Sequence, residues 1–252
     1  MAEETPRVQA KRPSVSELLT FFESVVFGAE FSGVKTVNRV RKWRGPLRYQ
    51  IREFHEKVVL KPGGFQDRQL ISRRVKKLHR EFVLKHLTSL SHLTGLKVED
   101  ADQVGRPANI NFSFVPRLQM ANARLARADQ RMLQRLASHG GCYFVGWTGR
   151  GAASTFVEAS IVVNIERLMR AKDHCVLEEA TQSLGFPNDV SRPWPTIFSG
   201  AGGMRGGIRE LSRPDRIIVK TLYDRRMLIG LAKTKALKLA GEIIAELDRK
   251  LP

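Results

Sequence analysis

The chain has 252 residues, 42% of them hydrophobic, and a formal net charge of +18. That is enough for one domain with a real core, while no run approaches the roughly 18 apolar residues of a membrane span. Its two cysteines, Cys142 and Cys175, are too few for a zinc knuckle or a disulfide scaffold, and the cation surplus favours anionic partners.

Residues 1–13 read as a disordered basic arm. The opening "MAEETPRVQAKRPS" lacks an apolar signal core, and a mature exported chain behind a new methionine would read the same way. Ser14 and Glu17 form a capping-box pattern that opens a helix ending near Gly28. "NRVRKWRGPLRYQIREF" predicts two short strands about the Gly45-Pro46 turn, basic on the solvent side, and Pro62-Gly63-Gly64 predicts a loop. From Gln66 to Thr94, apolar residues from Ile71 to Leu93 recur at helical spacing. The other face of that expected helix carries Arg73, Arg74, Lys76, Lys77 and Arg80, a candidate anion-binding group. They belong to a basic stretch, Lys35 to Lys85, with 16 Lys/Arg against four acids.

Ile110–Val115 alternates as a strand, and Leu118–Gly141 reads as a second amphipathic helix. Two strands, Cys142–Trp147 and Ser154–Ile165, flank a turn at Gly149–Gly151. A helix follows over about Ala171–Leu184, stopped by Gly185, then a Pro/Gly-rich stretch over 186–211. Ser212 starts a helix running to Tyr223, and the last helix spans about Leu231–Arg249. The fold class is α+β, with helices beside a small mixed sheet. The six histidines are scattered and expected at the surface, and His174 lies one turn from Glu178.

The segment "HCVLEEATQSLGFPND", His174–Asp189, has the spacing of a zinc-peptidase helix without its histidines. Glu178 falls at the first ligand, Glu179 at the general base, Gln182 at the second ligand, Gly185 at the turn and Asn188 at the third ligand, with Asp189 beside it. Downstream, Thr196-Ile197-Phe198 stands where metzincins have a Ser-Ile-Met turn, Leu211-Ser212 and Asp215 open the next helix, and Leu222-Tyr223 end it. The pattern "C..EE..Q.LG..ND", with "IF" and "LYD", resembles a family of bacterial envelope proteins, a domain of unknown function related to metzincins. The resemblance covers about residues 20–231. It implies one metzincin-like domain over 14–252, with a sheet-and-helix part (14–185) and a C-terminal helical part (186–252). It also implies a periplasmic or secreted home and a Cys142–Cys175 disulfide, because the motif helix would pack beneath the sheet.

Glu178, Gln182 and Asn188 offer only oxygen, so zinc is not expected; such a set suits a divalent cation of the Ca²⁺, Mg²⁺ or Mn²⁺ kind, and no cofactor is assigned. Adjacent on a helix, Glu178 and Glu179 point about 100° apart and are no facing carboxylate pair. The first functional expectation is a pseudo-peptidase or binding protein that uses the old groove, or a hydrolase centred on Glu179. Glu178, Gln182, Asn188, Asp189 and Tyr223 would contact a peptide or envelope polymer. The bland alternative is a hydrogen-bonded remnant in which Gln182 and Asn188 hold the turn and Glu178 pairs with an arginine such as Arg192. The rival function is a basic module for an anionic polymer or acidic membrane surface, with nucleic acid last because no recognition motif appears. "GAGGMRGG", 200–207, is expected to be a mobile loop flanking the groove.

Overall fold

The computed structural model describes residues 12–28, 38–149, 155–199 and 207–251. Most of the expected arm (1–11), most of the turn after Gly149 and residues 200–206 of the Gly-rich loop lie outside the described residues.

Helix α1 (Val15–Phe27) starts where the sequence places it, with Ser14 and Glu17 closing a reciprocal capping box. Residues 38–46 form only isolated bridges, Arg39 to Ala232 and Lys42 to Thr155, instead of the first of two expected short strands. Beyond Pro46 the chain extends into one long strand, β1 (Leu47–Leu60). The loop at 61–65 reverses it into β2 (Gln66–Arg73), which pairs antiparallel with β1 from Glu53↔Arg73 to Leu60↔Gln66. The expected helix over Gln66–Thr94 is therefore corrected: its first eight residues are a strand, and α2 runs only over Lys77–Thr94. The partner that decides this lies back in β1, so local spacing alone misassigns the segment.

Next come β3 (Val98–Asp100), the short α3 (Ala101–Val104) and β4 (Ile110–Val115). The expected helix over Leu118–Gly141 shrinks to a 3₁₀ turn (Arg117–Gln119) and α4 (Gln130–Ser138). Asn122 makes a local turn by accepting from Arg124 N–H, and Asp129 caps α4 by accepting from Met132 N–H. Met120, Leu125 and Ala126 each insert into a core in between. Then follow β5 (Cys142–Thr148), β6 (Phe156–Asn164), α5 (Met169–Gln182), α6 (Arg213–Tyr223) and α7 (Lys233–Lys250).

The fold is mixed α/β, with a six-stranded mixed sheet and seven helices among the described residues. The strand order is β2-β1-β4-β6-β5, with β3 paired to β1; β1, β4 and β6 are parallel, and the edge strand β5 is antiparallel to β6. One face of the sheet presents Leu47, Tyr49, Ile51, Ile110, Phe112, Phe114, Ala159, Ile161 and Val163 to a large core. That core runs from Leu18 of α1 to Ile244 of α7, so both ends of the chain share it. The opposite face packs Phe54, Val115, Tyr143, Val145 and Val162 against the smaller cover of α4 and the segment before it. No helix among the described residues is long and apolar enough to cross a membrane.

Candidate functional site

Helix α5 lies beneath β5 and β6 and packs along α2. Residues 171–177 and 179–182 are buried; Glu178 is the only residue in the second half of the helix that is not. Its C-terminus is tied down by groups from distant elements. The Trp43 indole N–H donates to the Ser183 carbonyl (2.9 Å), and the Tyr223 hydroxyl donates to the Leu184 carbonyl (2.8 Å). Gly185 has φ +125, and a Cβ there would lie 2.5 Å from the Arg41 carbonyl oxygen, so only glycine suits the bend.

A polar row runs along one face of α5 at helical spacing: His174, Glu178, Gln182. His174 is fully buried. Its Nδ1 sits 2.7 Å from the Ile208 carbonyl, to which it must donate, and its Nε2 faces a Glu178 oxygen at 3.3 Å. Burial alone would push the imidazole pKa down; the Glu178 carboxylate, the Ile208 carbonyl and Asp189 outweigh it, and the net shift is upward. Gly207 lies against this ring, where a Cβ would meet His174 Cγ at 2.4 Å, so His174 docks the end of the Gly-rich segment onto α5. Farther along, the Gln182 amide donates to Asp189 at 2.6 Å.

On the sheet side, Cys142 at the start of β5 and Cys175 on α5 form a disulfide with Cα atoms 5.9 Å apart. One sulfur of that bridge, Cys142 Sγ, and one carboxylate oxygen from each of Glu178 and Glu179 all lie within 4.8 Å of one another.

One family model, described as "Protein of unknown function (DUF2927)", matches residues 16–240. The chain belongs to this family. No curated protein and no solved structure matches it.

Within this DUF2927 chain the expected site residues divide into groups. Glu178 and Glu179 come together beside Cys142, and Gln182 joins Asp189. Asn188 turns the other way: its amide donates to the Ser24 carbonyl of α1 at 2.9 Å. Tyr223 is engaged at the far end of the helix, where it also accepts from Trp43 N–H. Arg192, the arginine considered for Glu178, donates instead to Ser24 Oγ and the Thr20 carbonyl, and His174 takes its place.

The basic group also changes character. Arg73 ends β2 and pairs with Glu53, Arg80 reaches Asp100 at 3.7 Å, and Lys77 approaches Glu81 at 3.9 Å; Arg74 and Lys76 have exposed side chains in the connector before α2. Two further histidines expected at the surface are buried. His79 Nδ1 lies 2.8 Å from the buried Glu53 carboxylate and stacks flat on Phe114 at 4.3 Å; His86 Nε2 lies 2.7 Å from Asp173, which also holds Lys85. Burial depresses both imidazoles despite their carboxylate partners. Glu53 is pulled below its usual range: burial opposes ionisation, but donors from Lys76 N–H, His79 and Arg73 prevail. These pairs bind α2 to the sheet and to α5. The seven-residue spacing of His79 and His86 places both on the buried side of α2, the one sequence signal that foreshadowed them.

Proposed function

We propose that this chain is a metzincin-like protein of an extracytoplasmic compartment that has exchanged zinc catalysis for binding in the groove beside α5. The commitment of the former ligand positions carries this reading. Gln182 is spent on Asp189 and Asn188 on the Ser24 carbonyl, so the metzincin positions 178, 182 and 188 do not form one donor set, and none offers the nitrogen or sulfur that zinc favours. Zinc therefore does not fit there. What supports the metzincin relation is the packing of the motif helix against the sheet and the tie between the Thr196–Phe198 turn and Asp215. The disulfide is compatible with an oxidising compartment.

In this reading the half-buried Glu178, beside Cys142 of the edge strand β5, and the half-buried Asp189 at the bend after α5 supply acidic groups, with Glu179 buried next to Glu178, suited to a peptide or an envelope polymer carrying amines. Titration calorimetry with cell-wall fragments and basic peptides tests it, with product analysis by mass spectrometry alongside. We expect saturable binding without turnover, weakened about tenfold or more by Glu178→Gln with Glu179→Gln, the loss of roughly 1.4 kcal/mol or more of charge-assisted contact. Turnover abolished by Glu179→Gln would instead establish a hydrolase, and unchanged binding in the double variant would remove the groove from consideration.

A second reading has its own observation. The β1–β2 hairpin projects Leu60 (72% exposed) and Phe65 (73%) at its tip, with Val58 behind them and Lys57, Lys61 (paired with Asp67) and Arg68 (paired with Glu56) around them. An apolar tip in a basic collar is the pattern of an interfacial anchor on an acidic leaflet. Co-sedimentation with phosphatidylglycerol vesicles should fall at least about fivefold for Leu60→Ser with Phe65→Ser while phosphatidylcholine vesicles recover neither protein; equal recovery of variant and parent eliminates the hairpin as an anchor.

A further inference from the structure

The disulfide ties the edge strand β5 to helix α5. Cys142 opens the edge strand β5, half-buried, while Cys175 lies in the core one helical turn before two adjacent glutamates. Residues three and four apart share a helix face, so Cys175, Glu178 and Glu179 lie around one flank of α5, and β5 brings Cys142 to that flank from above. The Cys142 sulfur and a carboxylate oxygen from each glutamate fall within 4.8 Å of one another, and the Cys175 sulfur is 2.01 Å from that of Cys142.

While bridged, neither sulfur is a thiolate, and only thiolates are strong metal ligands. Reduction changes that. A dithiol reductant attacks the more exposed Cys142 sulfur, forms a mixed disulfide and leaves as its own disulfide; two electrons and two protons are taken up, and Cys142 and Cys175 become thiols. The flank then holds two sulfur and two carboxylate donors from two elements. A divalent ion displaces the thiol protons as it binds. Zinc takes such sets tetrahedrally, with bonds of about 2.3 Å to sulfur and 2.0–2.2 Å to oxygen, so Cys142 Sγ and the two carboxylates draw together while the Cys175 sulfur, no longer bonded to Cys142, swings away from it to take the fourth position.

We propose that the reduced chain is a zinc-binding form, with Cys142, Cys175, Glu178 and Glu179 as the ligands. The same strand and helix are then joined either by a sulfur–sulfur bond or by a metal ion, never by both, and the redox state of the surroundings selects which. This site is distinct from the vanished triad: it shares Glu178 with that template and uses neither Gln182 nor Asn188. It shares Glu178 and Glu179 with the groove-binding reading, and the two are told apart because peptide or polymer binding is measured on the oxidised chain and zinc binding on the reduced one.

The test uses the whole chain, reduced with a phosphine and desalted without oxygen, then titrated with Zn²⁺ against a chromophoric chelator and with Co²⁺ for thiolate-to-metal charge transfer. The reduced wild type should bind one ion per chain and show the band, and the oxidised chain should bind none at the same concentrations. Glu178→Gln with Glu179→Gln should weaken binding about tenfold or more. Cys175→Ala, which has no bridge under any condition, should keep a weaker site with a single-thiolate band of about half the intensity. Circular dichroism follows the fold throughout. If the reduced chain stays folded and shows no band, if it unfolds and zinc does not restore it, or if the glutamate variant binds as tightly as the parent, the site does not exist.

Discussion

Asp215→Ala should be the most damaging single substitution in the C-terminal half of the chain, lowering stability by about 3–5 kcal/mol through three orphaned donors in the core. The Asp215 carboxylate is wholly buried. It accepts from the Thr196 hydroxyl, from Ile197 N–H (3.1 Å) and, in the α6 capping box, from Ser212 N–H (3.0 Å). One side chain thus fixes both the Thr196–Phe198 turn and the start of α6, and truncation leaves that turn without an anchor. Asp215→Asn keeps an acceptor for the two backbone N–H groups and should cost less than about 2 kcal/mol. The pH profile separates the two effects. Burial pushes the Asp215 pKa up to about 6, against the hydrogen bonds that favour its charge. Between the unfolded value near 4 and about 6 the folded chain holds the extra proton, so this group makes wild-type stability fall as pH rises through that window and level off above it. Denaturant midpoints measured from pH 4 to 7 should show that decline in the wild type and lose this part of it in Asp215→Asn. A profile of equal slope in both would mean that Asp215 does not titrate there.

The accuracy of the sequence reading followed the range of the interaction that decides each element. Helix α1, the strands β4, β5 and β6, helix α5 and helix α6 are specified locally, by capping boxes at Ser14 and Ser212, by alternation over Ile110–Val115 and by the stop at Gly185. The errors came where a distant partner outweighed local periodicity. Gln66–Arg73 is a polar edge strand with only Leu70 buried, and β1 makes it a strand. In 118–129 the composition favours helix, but the Tyr143 hydroxyl takes the Met120 carbonyl and the Trp147 indole takes the Arg127 carbonyl, groups that a continuous helix would use itself. The site shows the same division. Spacing placed Glu178, Glu179 and Gln182 on one helix, whereas the neighbours that define their chemistry from outside it, Cys142 and Asp189, come from a strand and a loop. Asn188 had the right spacing and the wrong direction, because the Ser24 carbonyl at the end of α1, 164 residues away in sequence, claims its amide.

Replacing both cysteines by alanine should lower the stability of the metal-free chain by about 3–4 kcal/mol. The bridge closes a loop of 33 residues, and in the chain-entropy account its removal returns that much freedom to the unfolded state. The loss has a location as well as a size. Among the described residues strand β5 is an edge, paired on one side only, to β6, and its shift in register at Trp147/Thr148 shortens the regular ladder. Without the staple, the end of β5 at Cys142 is held to α5 only by packing, so amide exchange over Cys142–Thr148 should accelerate more than over β4 or β6. Two measurements decide the matter: the denaturant midpoint at constant m-value, and exchange rates strand by strand. A uniform acceleration would mean that the bridge stabilises the chain as a whole and not the edge in particular. A midpoint within about 1 kcal/mol of the parent would mean that packing of β5 on α5 suffices, and the cysteines would then be kept for their chemistry and not for the fold.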